Sequence, residues 1–293
     1  MPDLPRRAVT RFAPSPTGLL HLGHAHAACF AAALADAAGG RFLLRLEDID
    51  ATRCRPEFAA AIEADLAWLG LAWDGPVRVQ SHHMPDYRAA LDRLAGRGLL
   101  YPCFCSRADI QREIAASGHA PHLVPLGPDG PLYPGTCRHL SAAEVKQRFA
   151  EGRAANWRLK TDDAMALTGV LTYSVAGPTP ADRPQIRYAR PERWGDVVLQ
   201  RKGTPTSYHL SVVIDDDAQG VTHVTRGRDM EPSTDIHVLL QMLLGLTSPL
   251  YTFHKLILDT EGKKLSKSKG STSLRSLRDA GRTAEEIRNE LGF

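Results

Sequence analysis

The sequence has no long hydrophobic run, no repeated segment and no low-complexity tract. No stretch approaches the ~20 consecutive apolar residues that a membrane-spanning helix needs. The first residues, MPDLPRRAVTRF, also lack the apolar core of a signal peptide. These absences argue against a membrane protein and a secreted one, so we expect a cytoplasmic protein with no membrane partner.

Cysteine is scarce, and the net charge is small. The five cysteines are an odd number without a secretion signal, which argues against a disulfide framework and leaves metal binding open. The formal charge is only +3, so composition permits an RNA partner without demanding one, because 36 lysines and arginines still suffice for a local basic face. The 293 residues, 43% of them hydrophobic, can bury one large core or two modest ones.

The first 50 residues indicate a strand, a loop, a helix and a second strand. A β-branched and aromatic run over 9–12 stops at PSPTG, and an Ala-rich helical segment then continues to Gly39 and Gly40. A strand over 41–47 completes a βαβ unit, which requires a parallel pair and a right-handed crossover. Further helices are predicted over 55–69, 235–244 and 283–291, whereas the apolar segment 208–216 fits either a helix or a strand. The sequence therefore predicts an α/β fold with a parallel sheet.

The character of the chain changes at about residue 98. The segment 98–203 carries two close cysteines and a loop rich in Pro, Gly and His over 117–135, which indicates an inserted subdomain. The predicted organisation is one α/β domain in two halves, 1–97 and 204–246, with the insertion between them. The remainder, 247–293, is predicted to be a basic loop followed by a helical tail.

Two charged residues lie where ligands bind in a parallel sheet, beyond the carboxyl ends of the strands. Arg11 and Glu47 both occupy such ends. An arginine can hold a carboxylate with two hydrogen bonds and a glutamate can hold an ammonium group, so together they suit an amino-acid zwitterion. On these two residues alone, a plain ion pair between neighbouring strands is the simpler interpretation.

The segment PSPTGLLHLGH favours phosphate binding. His21 and His24 are three residues apart and share one face of a helix near its N-terminus, where backbone N–H groups and the helix dipole attract phosphate. Gly23 removes a side chain that would block a nucleotide. Two donating imidazoles can stabilise the charge that develops when a carboxylate attacks an α-phosphate, without a covalent enzyme intermediate. By itself, HxxH is a weak signal.

A second candidate for phosphate binding is the segment KKLSKSK at 263–269. Four lysines within seven residues, interleaved with serines, predict a mobile cationic loop that can close on a leaving pyrophosphate. An isolated lysine run is usually a solvated loop. Its combination with HLGH, and with α/β elements between the two, favours nucleotide chemistry.

The pairing of HLGH with KLSKS resembles the two signature motifs of class I aminoacyl-tRNA synthetases, and RFAPSPTGLLHLGH, LRLEDID and VTRGRD together resemble their glutamyl branch. The resemblance extends over most of the chain and implies a Rossmann-type catalytic domain split by a connective insertion. It implies that glutamate is surrounded by Arg11, Ala13, Ser15, Glu47, Tyr208 and Arg226. It implies that ATP is bound by His21, Gly23, His24, Lys264, Ser266 and Lys267, with His21, His24 and Lys267 as catalytic residues.

The same resemblance implies how the substrates are held. Glu47 would take the α-ammonium group of L-glutamate, and Arg11 and Arg226 would share its two carboxylates in an order that is left open. We expect Mg²⁺ with ATP, because divalent ions bridge nucleotide phosphates, but no dedicated protein cage for it is visible.

Three cysteines indicate a metal site in the insertion. Cys103 and Cys105 are one residue apart, and Cys137 follows beyond the Pro/Gly-rich loop. Thiolates are good zinc ligands, and a closed four-ligand shell would stabilise a segment with little core of its own, although three buried thiols without metal are an alternative. The shorter glutamyl-queuosine synthetases have a similar CxC pair followed by YxxxC. This resemblance implies one structural zinc ion, bound by Cys103, Cys105, Tyr133 and Cys137.

The fourth ligand stays open. The spacer before Tyr133 is longer than is usual in that family and contains His119 and His122, and His139 lies near Cys137. Any of these imidazoles could replace Tyr133, because imidazole is the commoner zinc donor. The other two cysteines, Cys29 and Cys54, are assigned to packing or to the surface.

The end of the chain bears on which RNA would accept the glutamyl group. Only 25 residues follow Ser268, fewer than the ~50 that a separate domain takes, so we expect no anticodon-binding domain. We also expect a monomer. The family with this truncation, the glutamyl-queuosine synthetases, activates glutamate with ATP without tRNA and transfers it to queuosine in tRNA(Asp). The resemblance implies that reaction.

Two other functions remain open. One is a minimal glutamyl-tRNA synthetase that charges tRNA(Glu), and the other is a non-catalytic relic that binds RNA or glutamate. The intact HLGH motif, Glu47 and the KLSKS motif argue against a relic, since a pure binder needs no phosphate-handling elements.

Overall fold

The computed structural model describes residues 7–116, 125–176, 183–258, 265 and 272–293. Its strands are β1 (Val9–Phe12), β2 (Arg41–Leu46), β3 (Arg78–Val79), β4 (Leu100–Cys103), β5 (Leu126–Gly127), β6 (Gly130–Pro131), β7 (Asn156–Leu159), β8 (Thr172–Val175), β9 (Gln185–Tyr188), β10 (Val198–Gln200), β11 (His223–Gly227) and β12 (Leu250–His254). Its helices are α1 (Leu22–Ala37), α2 (Pro56–Trp68), α3 (Met84–Gly96), α4 (Arg107–Ala116), α5 (Ala142–Ala150), α6 (Thr161–Thr168), α7 (Tyr208–Ala218), α8 (Thr234–Leu244), α9 (Leu274–Asp279) and α10 (Ala284–Leu291).

Two groups of parallel strands form the centre of the fold. In one group β1 pairs with β2 and β2 pairs with β3, and in the other β11 pairs with β12 and β12 pairs with β8. The backbone N–H of Thr222 donates to the Val9 carbonyl at 3.0 Å, so the two groups meet where β1 runs beside the start of β11. Among the described strands of these two groups, β9 is the one that pairs antiparallel, on β8. The predicted α/β fold with a parallel sheet is confirmed.

The first βαβ unit forms where the sequence predicts it. All four residues of β1 are buried, and the Ala-rich face of α1 packs on the parallel strands. Gly39 ends the helix with φ of 57°, in the left-handed region that glycine tolerates. A Cβ on Gly40 would lie 1.8 Å from the Ala8 carbonyl oxygen, so only glycine allows the return to β2. The Gly-Gly pair therefore fixes where the crossover turns.

The apolar segment at 208–216, which fitted helix or strand, is the helix α7. Its apolar residues Leu210, Val212 and Val213 are buried in the core, and so are the carboxylates Asp215 and Asp216 at its end. Val212 and Asp216 are four residues apart and share one helical face. The helix therefore brings both an apolar surface and two charges to the centre of the molecule.

A smaller antiparallel sheet, β10-β7-β4, lies within the predicted insertion together with the β5–β6 hairpin. One strand from the 98–203 range, β8, instead pairs with β12 in the main sheet. The boundaries given for the two halves, the insertion and the tail stay a prediction. In the described part of the chain, no helix has both the length and the apolar character needed to cross a membrane.

Candidate active site

A cavity of about 460 Å³ opens near the carboxyl ends of β1, β2 and β11, where a parallel sheet places its ligands. It is bordered by the N-terminus of α1 and by α7. The predicted site residues that line it are Arg11, Ala13, Ser15, His21, Gly23, His24, Glu47, Tyr208 and Arg226. Side chains separated by more than 200 positions in the sequence therefore meet in one space.

The KLSKS segment is represented at the cavity by Leu265. This residue lines the cavity wall beside Leu256 and Ile257, and its backbone N–H donates to the Ile257 carbonyl at 3.4 Å. The predicted ATP ligands Lys264, Ser266 and Lys267 lie outside the described residues. Their role stays a prediction.

The two histidines of HLGH hold each other at the start of α1. His21 is the N-cap residue, and its Nδ1 accepts from the backbone N–H of Gly23 at 3.1 Å. His24 returns the interaction, because its Nδ1 accepts from the backbone N–H of His21 at 3.3 Å, which completes a capping box. Since each Nδ1 is an acceptor, a neutral imidazole carries its proton on Nε2 and can donate there. The helix start thus combines imidazole donors with the positive end of the helix dipole, an arrangement that suits phosphate.

Gly23 has a local role as well as the predicted one. A Cβ at this position would lie 3.0 Å from Cε1 and 3.2 Å from Nδ1 of the His21 ring, closer than ordinary van der Waals contact. A larger residue would therefore displace the imidazole. The sequence suggested that this glycine leaves room for a nucleotide, and the structure adds that it leaves room for His21.

Arg11 and Glu47 are linked through other residues. Arg11, with 7% of its surface exposed, donates through Nε to Asp216 at 2.9 Å and through Nη1 to the Thr225 carbonyl at 3.0 Å. Glu47 accepts from Arg45 at 3.2 Å. The simple ion pair between Arg11 and Glu47, considered from the sequence, is replaced by a network in which Asp216 and Arg45 lie between the two.

Arg45 is the centre of that network and was not singled out from the sequence. It is fully buried, with Asp216 at 2.8 Å, Glu47 at 3.2 Å and Asp215 at 3.8 Å. Burial opposes its charge, but the carboxylates outweigh burial and raise the pKa of Arg45. Burial also works to raise the pKa of Asp216, yet Arg11 and Arg45 hold that pKa at about 2. For Glu47, burial prevails over the two arginines and its pKa is raised.

The remaining predicted glutamate ligands surround the same space. The loop that carries Ala13 and Ser15 is held against β2, because the backbone N–H of Glu47 donates to the Pro14 carbonyl at 3.1 Å. Tyr208 begins α7. Arg226 lies in β11 with its guanidinium carbon 5.3 Å from the centre of the Tyr251 ring.

A second cavity, of about 180 Å³, adjoins the first. It shares Ser15, Thr17, Glu47 and Tyr208 with the larger cavity, which places it beside the predicted glutamate ligands. The rest of its wall carries charges of both signs, from Asp50, Arg53 and Arg201. It therefore offers a second approach to the predicted glutamate site.

Three cysteines converge in the insertion as predicted. The Sγ atoms of Cys103, Cys105 and Cys137 all lie within 4.8 Å of one another. The Tyr133 hydroxyl lies 3.6 Å from Cys105 Sγ and accepts from the backbone N–H of Cys137 at 2.9 Å. The backbone N–H of Phe104 donates to Cys137 Sγ at 3.4 Å, a contact that suits a thiolate. Three thiols with a phenol oxygen beside them are a donor set that fits a tetrahedral metal ion.

The alternative fourth ligands differ in how the structure places them. His139 is exposed, and the compact group of possible ligands found among the described residues contains the three cysteines without it. His119 and His122 fall in 117–124, outside the described residues. Cys29 is buried and Cys54 is partly buried, both away from the cluster.

Comparison with known proteins identifies the family. A model of the tRNA synthetases class I (E and Q), catalytic domain, matches residues 7–292. A Rhodobacter capsulatus protein named glutamyl-Q tRNA(Asp) synthetase is 50% identical over 289 residues, which cover 97% of this chain and 100% of that protein. A Methylobacterium protein named glutamate–tRNA ligase 2 is 39% identical over 276 residues, which cover 93% of this chain and 57% of that protein.

Solved structures agree with the sequence relatives. A glutamate tRNA ligase from Elizabethkingia meningosepticum, in complex with its amino acid, has a TM-score of 0.77 at 27% identity. The match covers 98% of this chain and 61% of that one. Methionyl-tRNA synthetase from Mycobacterium tuberculosis, with a TM-score of 0.58 at 12% identity, shares the fold alone. The resemblance inferred from HLGH, LRLEDID and KLSKS is confirmed, and the chain belongs to the class I tRNA synthetases (E and Q), a family of ligases.

Proposed function

We propose that this chain activates L-glutamate with ATP, without requiring tRNA, and transfers the glutamyl group to queuosine at the wobble position of tRNA(Asp). The observation that carries the proposal is that the residues suited to an amino-acid zwitterion and the histidine pair suited to a phosphate line one cavity. Identity of 50% to the glutamyl-Q tRNA(Asp) synthetase of R. capsulatus, over the full length of that protein, supports queuosine as the acceptor.

In the first step, the α-carboxylate of glutamate attacks the α-phosphorus of ATP, and pyrophosphate leaves. Arg11 and Arg226 attract the two carboxylates, and Glu47 accepts hydrogen bonds from the α-ammonium group. His21 and His24 donate from Nε2 to the α-phosphate oxygens and stabilise the charge that builds there. Lys264, Ser266 and Lys267 are proposed to hold the phosphates of ATP, which enters with Mg²⁺.

In the second step, the glutamyl carbonyl moves from AMP to a hydroxyl group of queuosine. The acceptor must reach the glutamyl carbonyl while the AMP part of the adenylate still occupies its own place in the site. The 180 Å³ cavity meets this need. It is lined by Glu47 and Tyr208, whereas His21 and His24 line only the larger of the two cavities. We assign this cavity to the approach of the acceptor.

The experiment that tests the function has two parts. Exchange of labelled pyrophosphate into ATP, dependent on glutamate and without RNA, is expected. Transfer of labelled glutamate is then measured on tRNA(Asp) with queuosine, tRNA(Asp) without it, and tRNA(Glu), and label is expected on the first alone. Label on tRNA(Glu) would make the chain a minimal glutamyl-tRNA synthetase, and the absence of both activities would support a non-catalytic relic.

The role of Glu47 can be tested with one substitution. Glu47→Gln is expected to raise the KM for glutamate by roughly 10- to 100-fold, because a hydrogen bond to a charged group contributes about 1.5–3 kcal/mol. The KM for ATP is expected to stay within about twofold, since Glu47 does not touch the nucleotide in this assignment. Glu57→Gln, on the exposed face of α2, is the matched control. An unchanged KM for glutamate in the Glu47 variant would refute the assignment.

We also propose that the cysteine cluster holds one structural zinc ion. The donor set of Cys103, Cys105 and Cys137 with Tyr133 supports this. The segment around the site has a small hydrophobic core. Apart from the three cysteines and Tyr133, few residues belong to it. A bound ion would therefore supply much of its stability.

A further inference from the structure

Arg226 has an unusual environment for a buried arginine of the cavity. Only 8% of its surface is exposed, and its Nη1 lies 3.1 Å from Nδ1 of His237. Within the described ranges no carboxylate lies at ion-pair distance from it, whereas Arg11 and Arg45 each contact Asp216. The guanidinium group of Arg226 is thus held by an imidazole rather than by a carboxylate, and Arg226 lines the 460 Å³ cavity.

Behind His237 stands a second histidine. Nε2 of His237, in α8, lies 3.2 Å from Nδ1 of His209, in α7. His237 is almost fully buried and His209 is partly buried, with its ring packed edge-on against Trp194 at 5.2 Å between ring centres. The three side chains form a line from the cavity to the contact between two helices.

The chemistry of this line fixes where each proton sits. A guanidinium group can only donate, so Nδ1 of His237 must accept and its proton must be on Nε2. That Nε2–H then donates to His209, whose Nδ1 must also accept. Both imidazoles are therefore neutral with the proton on Nε2, the form in which every bond of the line is satisfied.

The surroundings keep both rings in this form at neutral pH. Burial, followed by the positive charges of Arg226 and Arg201, lowers the pKa of His209 to about 4. Burial and then Arg226, His209 and Arg11 lower the pKa of His237 well below its ordinary value. A histidine with a lowered pKa is neutral above that pKa, so the guanidinium keeps its whole charge.

We infer that His237, supported by His209, is a positioning residue that aims Arg226 at a carboxylate of the amino-acid substrate without neutralising it. This inference rests on the proposed function, in which that substrate is glutamate. An aspartate or glutamate at position 237 would hold the guanidinium equally firmly but would compete with the substrate for its charge. A neutral acceptor orients the arginine and leaves the ion pair to be made by the ligand.

Steady-state kinetics with two variants tests the inference. His237→Leu removes both ring nitrogens and is expected to raise the KM for glutamate on the order of tenfold, because one oriented hydrogen bond to a charged group is lost. The kcat and the KM for ATP are expected to change by less than about twofold. His237→Asn, whose amide can accept from Arg226 and donate to His209, is expected to restore most of the affinity. An unchanged KM in the Leu variant, or no rescue by Asn, would overturn the inference.

A spectroscopic measurement reports the tautomers directly in the unaltered protein. Long-range ¹⁵N–¹H correlation spectra report the tautomer of each of the twelve histidines, and the Asn variant assigns His237. Near pH 7 we expect both His209 and His237 to carry their proton on Nε2. A proton on Nδ1 of His237 would overturn the inference. Wild-type protein without glutamate-dependent exchange would instead refute the proposed function, while active wild-type protein with the wrong tautomer would refute this inference alone.

Discussion

Replacing His24 with alanine is expected to lower the glutamate-dependent exchange of pyrophosphate into ATP by a factor on the order of 10² or more. The imidazole lines the cavity, and because its Nδ1 accepts from the backbone N–H of His21, the neutral ring carries its proton on Nε2. A donor of this kind acts on charge that exists only while the carboxylate attacks the phosphate. The loss should therefore appear mainly in kcat, with the KM for glutamate little changed.

His24 also caps α1, so its two roles have to be separated. Glutamine is a natural residue at the third position of a capping box and can take over the bond from the His21 N–H. His24→Gln should therefore keep the thermal stability that His24→Ala loses, a difference of roughly 1 kcal/mol. Exchange that remains impaired in a fully stable Gln variant assigns the loss to the imidazole. Exchange at the wild-type rate in the alanine variant would remove His24 from the mechanism.

Changing Cys137 to serine is expected to abolish metal binding and to destabilise the insertion. Metal analysis of the wild-type protein should give about one zinc ion per chain, as in structural sites with a closed ligand shell. The variant should lose that ion and unfold at a lower temperature, because the binding free energy of a structural metal is part of the folding free energy. A hydroxyl in place of the thiolate cannot supply the soft ligand that zinc prefers.

The chain offers its own control for this experiment. Cys54 is partly buried but lies outside the cluster, so Cys54→Ser should leave both the metal content and the melting temperature of the insertion unchanged. Chelation of the wild-type protein should reproduce the effect of Cys137→Ser. Purified wild-type protein without zinc would show that the three thiols form a plain core, and the proposed metal site would be wrong.

Much of the cavity could be predicted from the sequence because short motifs contain many of the residues that line it. The strand over 9–12, the HLGH histidines and the strand that precedes Glu47 are close in sequence, and one βαβ unit brings them together. Their placement follows from local rules on turns, caps and parallel strands. The family motif then pointed to Tyr208 and Arg226, which the structure places at the same cavity.

The interactions that orient these residues could not be predicted in the same way. Arg45 and Asp216 are 171 positions apart. Nothing in the sequence around either residue shows that the two segments will share a buried network. The segment at 208–216 stayed ambiguous for the same reason, since its apolar run has no clear period and its carboxylates find their partners only in the tertiary structure. His237 gave no signal either, because its neighbours in α8 are apolar core residues.

The buried network around Arg45 has a consequence for the growing chain. Arg45 belongs to the first sixth of the sequence, but Asp215 and Asp216, which neutralise it, are synthesised about 170 residues later. A buried arginine that lacks most of its carboxylate partners is strongly unfavourable. A nascent polypeptide that ends before α7 offers Arg45 only Glu47 out of the carboxylates of this network. We therefore expect the strands to close stably on Arg45 only once α7 has left the ribosome, and the amino-acid pocket to be complete only after Arg226, beyond three quarters of the sequence, has followed.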